Sequence, residues 1–143
     1  DNPTTLSAPQ LTALVNYLDV IIPAGPTVVA STQLADKIWI DAEVYYEGQY
    51  VASIQADVEL AINTYLENID FNGVVLVSKI QDAIQGVTGV KDVVINEVRA
   101  RRDSTVFASA TTIARQWTTI AGYIIEETTS SQTFADTIEY FAE

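Results

Sequence analysis

The sequence predicts an α+β protein, in which two to three amphipathic helices pack on a small mixed or antiparallel sheet. Three observations indicate this fold class: helical segments with an apolar stripe, one long alternating segment, and residues 80–98, which change from helical spacing to alternation in the middle. The chain has 143 residues, 48% of them hydrophobic, which is enough for one core. We expect a single domain over residues 1–143, with a strand-rich extension over residues 103–143.

The first predicted helix lies in LSAPQLTALVNYL near the N-terminus. Ser7 is placed to cap it, Gln10 follows three residues later as in a capping box, and Pro9 suits the first turn. The segment PAGP, residues 23–26, is expected to end the helix and turn the chain. Its apolar face comprises Leu11, Leu14, Val15 and Leu18.

The clearest strand is DKIWIDAEVYYEG, preceded by a shorter candidate, TVVAS. Alternation in the longer segment predicts one buried side and one side that reaches solvent or a partner. The buried side would carry Ile38, Ile40, Ala42, Val44 and Tyr46. The other would carry Lys37, Trp39, Asp41, Glu43, Tyr45 and Glu47.

The strongest helical pattern follows, in YVASIQADVELAINTYLENIDFNG. Asp57 and Glu59 lie in its first half, where carboxylates suit the positive end of the helix dipole. DFNG is expected to end the helix as a turn. The apolar stripe comprises Val51, Ile54, Val58, Ala61, Ile62, Tyr65, Leu66 and Ile69.

Residues 80–98 then predict a short helix that turns directly into a strand. Ser78 is a candidate cap with Gln81 three residues later, and the strand runs through VKDVVINEVRARR. Between them, Gly86 and Gly89 are predicted structural turn residues, because glycine adopts the left-handed conformation that ends many helices. GVTGVK is not predicted to be a phosphate-binding loop, because its glycine spacing does not fit one.

Two C-terminal segments, WTTIAGYIIEE and TFADTIEYFAE, have strand character and are joined by a polar connector. They predict a C-terminal β-hairpin. With the preceding elements, this gives helices on one face of a small sheet, a ferredoxin-like arrangement.

Composition excludes several functions. The chain has no His and no Cys, which removes histidine-dependent triads, imidazole ligands and thiolate chemistry. Its net charge of −12 argues against binding nucleic acid or anionic membranes. We expect no enzyme activity, no metal and no cofactor. The chain begins with DNPTT and lacks Met, so we expect a piece of a longer protein.

Two groups of residues stand out as candidate contact sites. Trp39 and Tyr45 flank the carboxylates of Asp41 and Glu43 on the outward side of the long strand. Paired carboxylates beside aromatics could serve a glycosidase, but aromatic residues are also favoured in protein interfaces. Because no segment forms a cleft, we favour an interface.

A cluster of arginines, Arg99, Arg101 and Arg102, ends the strand that begins near Lys91. In so acidic a chain, this cluster could contact a carboxylate-rich patch on another copy of the chain. The alternative is that it balances nearby acids, since exposed ion pairs contribute little to stability.

The order of these motifs resembles the C-terminal part of baseplate J-like proteins, wedge components of contractile phage tails. The resemblance runs from VASIQADVELAINTYL through FNGVVLVSKIQDAIQGVTGVKDVVI to AGYI. It includes an amphipathic helix ending in Tyr-Leu, a short segment leading to a Ser-capped helix, and two short strand motifs. The motif residues are Gly89, Val90, Asp92 and Val93, then Gly122, Tyr123 and Ile124.

The resemblance implies a structural role in a phage or prophage tail baseplate, through contacts with other tail subunits and self-association. It implies a location in the virion tail after assembly in the host cytoplasm, with no membrane and no nucleic acid bound. No catalytic residue carries over. The alternative is a small-ligand-binding or regulatory α+β domain, with its pocket on the face of Trp39 and Tyr45. A carboxylate hydrolase using Asp41 and Glu43 is a third hypothesis.

Overall fold

The computed structural model describes residues 4–22, 29–70 and 73–143. They fall into two compact units, an N-terminal segment that ends at Leu34 and a larger unit from Ala35 to Glu143. The larger unit combines helices with a mixed sheet, so the predicted α+β class is confirmed.

The N-terminal unit contains helix α1, Ala8–Ile21. The Ser7 backbone N–H donates to Gln10 Oε1 at 2.9 Å, so the predicted N-terminus is confirmed. The Leu6 N–H donates to Thr32 Oγ1 at 3.0 Å and ties the two ends of the segment together. No α1 side chain is fully buried. The predicted turn at residues 23–26 lies outside the described residues, and TVVAS is not a strand over residues 29–31.

The larger unit begins with one long strand and two helices. Its elements are β1 Asp36–Tyr46, α2 Ile54–Glu67, β2 Val74–Leu76, α3 Val77–Gln85, β3 Val90–Arg101, β4 Thr111–Thr112, β5 Gln116–Thr118, β6 Ile124–Glu126, α4 Phe134–Thr137 and β7 Ile138–Ala142. Short 3₁₀ turns cover Gly48–Tyr50 and Phe107–Ser109.

Strand β1 is the centre of the main sheet. β3 pairs with it antiparallel along one edge and is itself extended by β4, while β6 and β7 pair with the other edge in parallel. β2 and β5 form a separate two-stranded sheet. The order differs from a ferredoxin-like one, because both α2 and α3 lie between β1 and β3. β1 and β3 pair antiparallel across the segment that contains α2, β2 and α3, whereas a single crossover helix would join parallel strands.

The predicted C-terminal hairpin is wrong. β6 pairs with residues 36–38 of β1, and β7 pairs with residues 42–46, so the two segments follow one another along the same edge. The cause is the length of β1, whose 11 residues offer more hydrogen-bonding edge than either short strand can fill. Between the two segments, Thr137 Oγ1 donates to the Ile40 carbonyl of β1.

The core lies between the sheet and the helices. The β1 side chains predicted to be buried are buried, and Val58 and Ile62 of α2 meet Ile80 and Ile84 of α3 in the same cluster. The α2 stripe is therefore confirmed from Ile54 onward. Val51 is 67% exposed, because the helix begins only at Ile54.

The turn from α3 to β3 depends on glycine. Helix α3 ends at Gln85 with Gly86 as its C-cap, and Gly89 has a φ of +95°. A side chain at Gly89 would overlap the ring of Tyr50. The backbone carbonyl of Gly89 accepts a hydrogen bond from the Glu47 N–H at 2.9 Å. The turn therefore fastens the start of β3 to the end of β1. The N-cap of α3 is Leu76, so the prediction that Ser78 caps it is wrong.

Replacing Gly89 should destabilise the fold. We expect Gly89→Ala to lower the free energy of unfolding by about 2 kcal/mol or more, because alanine disfavours a positive φ and its methyl group meets Tyr50. Urea unfolding measures the change. Gly48→Ala is the matched control, since a Cβ there meets nothing within 4 Å. Equal stability of the two variants would contradict the assigned role of Gly89.

Candidate functional site

The side of the main sheet opposite the core forms a continuous surface, which we call the outer face. Register places side chains of three neighbouring strands on it. They are Trp39, Asp41, Glu43 and Tyr45 of β1, Asp92, Val94, Glu97 and Arg99 of β3, and Glu139 and Phe141 of β7. The β1 members are half-buried, while the intervening residues are buried, so alternation separates this face from the core.

One end of the outer face is built around Trp39. The Arg99 guanidinium carbon lies 5.1 Å from the centroid of the indole ring, and the Phe107 ring meets it edge-on at 5.9 Å. Arg99 Nε and Nη2 also donate to the two oxygens of Glu97 at 2.9 and 2.8 Å. These hydrogen bonds lower the pKa of Glu97 and raise that of Arg99. The arginine is thereby held over the indole, within the range of a cation–π interaction.

The opposite end is built around Tyr45. Its ring stacks on Phe141 with the centroids 5.4 Å apart. Tyr45 Oη donates to Glu43 Oε2 at 2.6 Å, and this hydrogen bond raises the tyrosine pKa because deprotonation would place two anions together. Two aromatic pairs therefore bound the outer face along β1.

Carboxylate side chains lie on the outer face between its two aromatic pairs. Asp41 lies directly opposite Glu97 of β3, and Glu43 lies directly opposite Glu139 of β7. Asn96 Nδ2 donates to Asp41 Oδ1 at 3.3 Å. A β-bulge at this point places Asn96 beside Glu97, against the single residue Asp41. The result is an acidic row on an open sheet surface.

The structure brings together some of the predicted contact residues and separates others. Trp39, Tyr45 and Arg99 all lie on the outer face, and Arg102 is exposed just beyond the end of β3. Arg101 is 9% exposed, so its predicted place in an interface is corrected to a place in the interior. Phe107 and Phe141 were missed. Alternation in β7 could have indicated Phe141, but nothing in the pattern around Phe107 marks it.

Arg101 forms a buried ion pair with Glu127, which is 1% exposed. Its Nε and Nη2 each donate to a carboxylate oxygen at 2.6 Å, and its Nη1 donates to backbone carbonyls that include those of Asp103 and Thr105. Burial raises the pKa of Glu127, but the hydrogen bonds from Arg101 and Thr129 outweigh it and lower the pKa to about 2. The pair fastens two surface segments to the end of β3.

A groove of about 480 Å³ runs along the edge of β3 that faces away from β1, and it meets the outer face at Val94 and Glu97. Its lining includes Val77, Gln81, Ile95 and Ile113, and neither Trp39 nor Tyr45. Across residues 4–22, 29–70 and 73–143, no group of three or more acidic side chains is arranged to hold a metal ion. Nor does any helix in those ranges have the length and apolar character needed to cross a membrane.

Breaking the buried ion pair should be costly. We expect Glu127→Gln to lower the free energy of unfolding by about 3 kcal/mol or more, because Arg101 would remain buried without its counterion. The double variant Arg101→Met/Glu127→Leu should lose less, since it leaves no charge behind. Urea unfolding at neutral pH compares them. A double variant less stable than Glu127→Gln would contradict this explanation.

The same pair predicts a loss of stability in acid. The folded pKa of Glu127 lies below its ordinary value of 4.5, so its contribution is present above about pH 4.5 and disappears as the pH falls toward 2. Between pH 6 and pH 3 we expect the wild-type protein to lose about 2 kcal/mol more than Arg101→Met/Glu127→Leu does. Urea titrations at pH 6, 4 and 3 measure the difference. Parallel curves for the two proteins would refute the prediction.

Comparison with known proteins adds the family. Residues 38–115, which run from β1 past β4, match the Baseplate J-like protein C-terminal domain. A comparison with curated proteins returns no match. The matched span is more than half of the chain and contains Trp39, Tyr45 and the cluster of Arg99, Arg101 and Arg102. The resemblance noted in the sequence is therefore confirmed, and the chain belongs to the Baseplate J-like family through its C-terminal domain.

Proposed function

We propose that this domain is a structural assembly module of a contractile phage tail baseplate and that it joins other tail subunits through its outer face. Its family supports a structural role in the baseplate. The observation that supports contact through this surface is the composition of the outer face. Two aromatic pairs flank a row of carboxylates there, on the side of the sheet away from the core.

The outer face has the composition of a contact surface. Aromatic residues and arginine are enriched in protein interfaces, and this face presents Trp39, Tyr45, Phe141 and Arg99. Phe141 remains 41% exposed although it is stacked on Tyr45. Trp39 and Tyr45 stand on the central strand β1, and Arg99 and Phe141 stand on strands paired with it, so docking would not require these side chains to be ordered first.

We also propose that the domain has no catalytic role. Asp41 and Glu43 lie on an open sheet surface, and each accepts a hydrogen bond from a neighbour, Asn96 and Tyr45 respectively. A glycosidase would need its two carboxyl groups on either side of a bound sugar. Their place on one strand face suits contact with a protein better. The proposed location is accordingly the virion tail.

Truncating an exposed aromatic side chain should weaken assembly. We expect Phe141→Ala to reduce the affinity of the chain for its baseplate partner by about tenfold, as loss of an aromatic anchor commonly does. Each of the other baseplate proteins of the same tail is purified and titrated against the immobilised chain. Leu60→Ala is the matched control, because Leu60 is 66% exposed on α2, away from the outer face.

Sedimentation velocity of the chain alone then measures self-association. If the wild-type chain sediments as a monomer and binds none of these proteins, the proposed function fails. If Leu60→Ala weakens binding and Phe141→Ala does not, assembly stands but the docking surface is wrong.

A further inference from the structure

We infer that the subunit docking on the outer face is basic and presents lysine or arginine side chains to the acidic row. This inference rests on the proposed function and specifies the chemistry of the partner. The partner is recognised by charge complementarity across the face, together with contact to the aromatic pairs at its ends.

The charges of the outer face are strongly one-sided. It carries a row of five carboxylates on three adjacent strands. Lys37 and Arg101 follow on the same side at one end, but each is only 9% exposed, so Arg99 is the cation within the row. The carboxylates are Asp41, Glu43, Asp92, Glu97 and Glu139. Arg99 is already engaged by both oxygens of Glu97. A surface of this sign attracts a positively charged partner and repels an acidic one, including a second copy of this chain.

Register makes the imbalance costly for the isolated domain. Asp41 faces Glu97 across β1 and β3, and Glu43 faces Glu139 across β1 and β7. Like charges directly opposite one another on neighbouring strands destabilise a sheet. Cationic side chains placed between them would relieve this repulsion, so the face is better suited to a bound state than to the free one.

The aromatic ends suit the same partner. Arg99 already lies over the Trp39 ring, which shows that this ring takes a guanidinium group on its face. Trp39 and Tyr45 are six residues apart on β1, a span of about 20 Å. An extended basic segment of about six residues would cover the row from one aromatic pair to the other.

Paired charge variants test the inference. Glu43→Gln/Glu139→Gln removes one facing pair, and Glu67→Gln/Asp82→Asn removes the same charge from the exposed surfaces of α2 and α3. The probe is the baseplate protein of the same tail that binds the wild-type chain. We expect its affinity to fall about fivefold or more in the first variant and to be unchanged in the second. Thermal unfolding should show the first variant at least as stable as wild type.

Salt and spectroscopy provide independent readouts. Raising NaCl from about 0.1 M to about 0.5 M should weaken binding severalfold, since exposed charges are screened over that range. The chain has two tryptophans, whose indole N–H signals report on different places. Trp39 lies on the outer face, while Trp117 donates to Asp36 inside the domain at 2.9 Å. Titration should shift the Trp39 signal and leave that of Trp117 in place.

The outcomes separate the two claims. Binding that is insensitive to salt and equally strong in both charge variants would overturn the basic partner and leave the assembly role intact. The same holds if the protein that binds is acidic over its contact surface. If none of the baseplate proteins binds the wild-type chain, the basic partner is overturned. If the chain also sediments as a monomer, the assembly role falls with it.

Discussion

The strict alternation of strand β1 is the constraint on which the rest of the structure depends. Its inward residues Ile38, Ile40, Ala42 and Val44 have no exposed surface, and both of its edges are occupied by other strands. Since side chains of a strand point to opposite faces in turn, burying this side forces Trp39, Asp41, Glu43 and Tyr45 outward. A register slip of one residue would exchange the two sets, so the core and the outer face are specified together.

Two further features hold β3 in register with β1. Gly89 fixes the start of β3 against Tyr50 and Glu47, and the Arg101–Glu127 pair fixes its end. Between them, two register shifts each accommodate one extra residue of β3, Asn96 and Lys91. These contacts are structural, but they determine that Arg99 lies over Trp39 and that Glu97 faces Asp41. The chemistry of the outer face is thus set by interactions outside it.

The sequence predicts the long, periodic elements well. Helices α1 and α2, strand β1 and the turn from α3 to β3 follow from residue spacing alone. The apolar or glycine residues within each segment are enough to identify it. The short C-terminal strands could not be predicted. Their pairing depends on the unfilled edge of β1, which is a property of the assembled sheet and is not encoded in their own residues.

The residues of the candidate site were also predictable where the pattern is local and unpredictable where it depends on distant residues. Trp39, Tyr45 and Arg99 share a face because alternation is local, whereas the burial of Arg101 depends on Glu127, a residue 26 positions away. Its neighbours Arg99 and Arg102 give no sign of that partner in the sequence. Phe107 contacts Trp39 from a 3₁₀ turn, where no periodic pattern indicates which residue packs against the sheet.

If the outer face is the docking surface of this domain, it is covered in the assembled tail. Hydroxyl-radical footprinting by mass spectrometry compares the side-chain reactivity of the isolated domain with that of intact tails containing it. The account predicts that Trp39, Tyr45 and Phe141 become protected in tails while Leu60 stays reactive. Equal reactivity of the three aromatic residues in both preparations would contradict it.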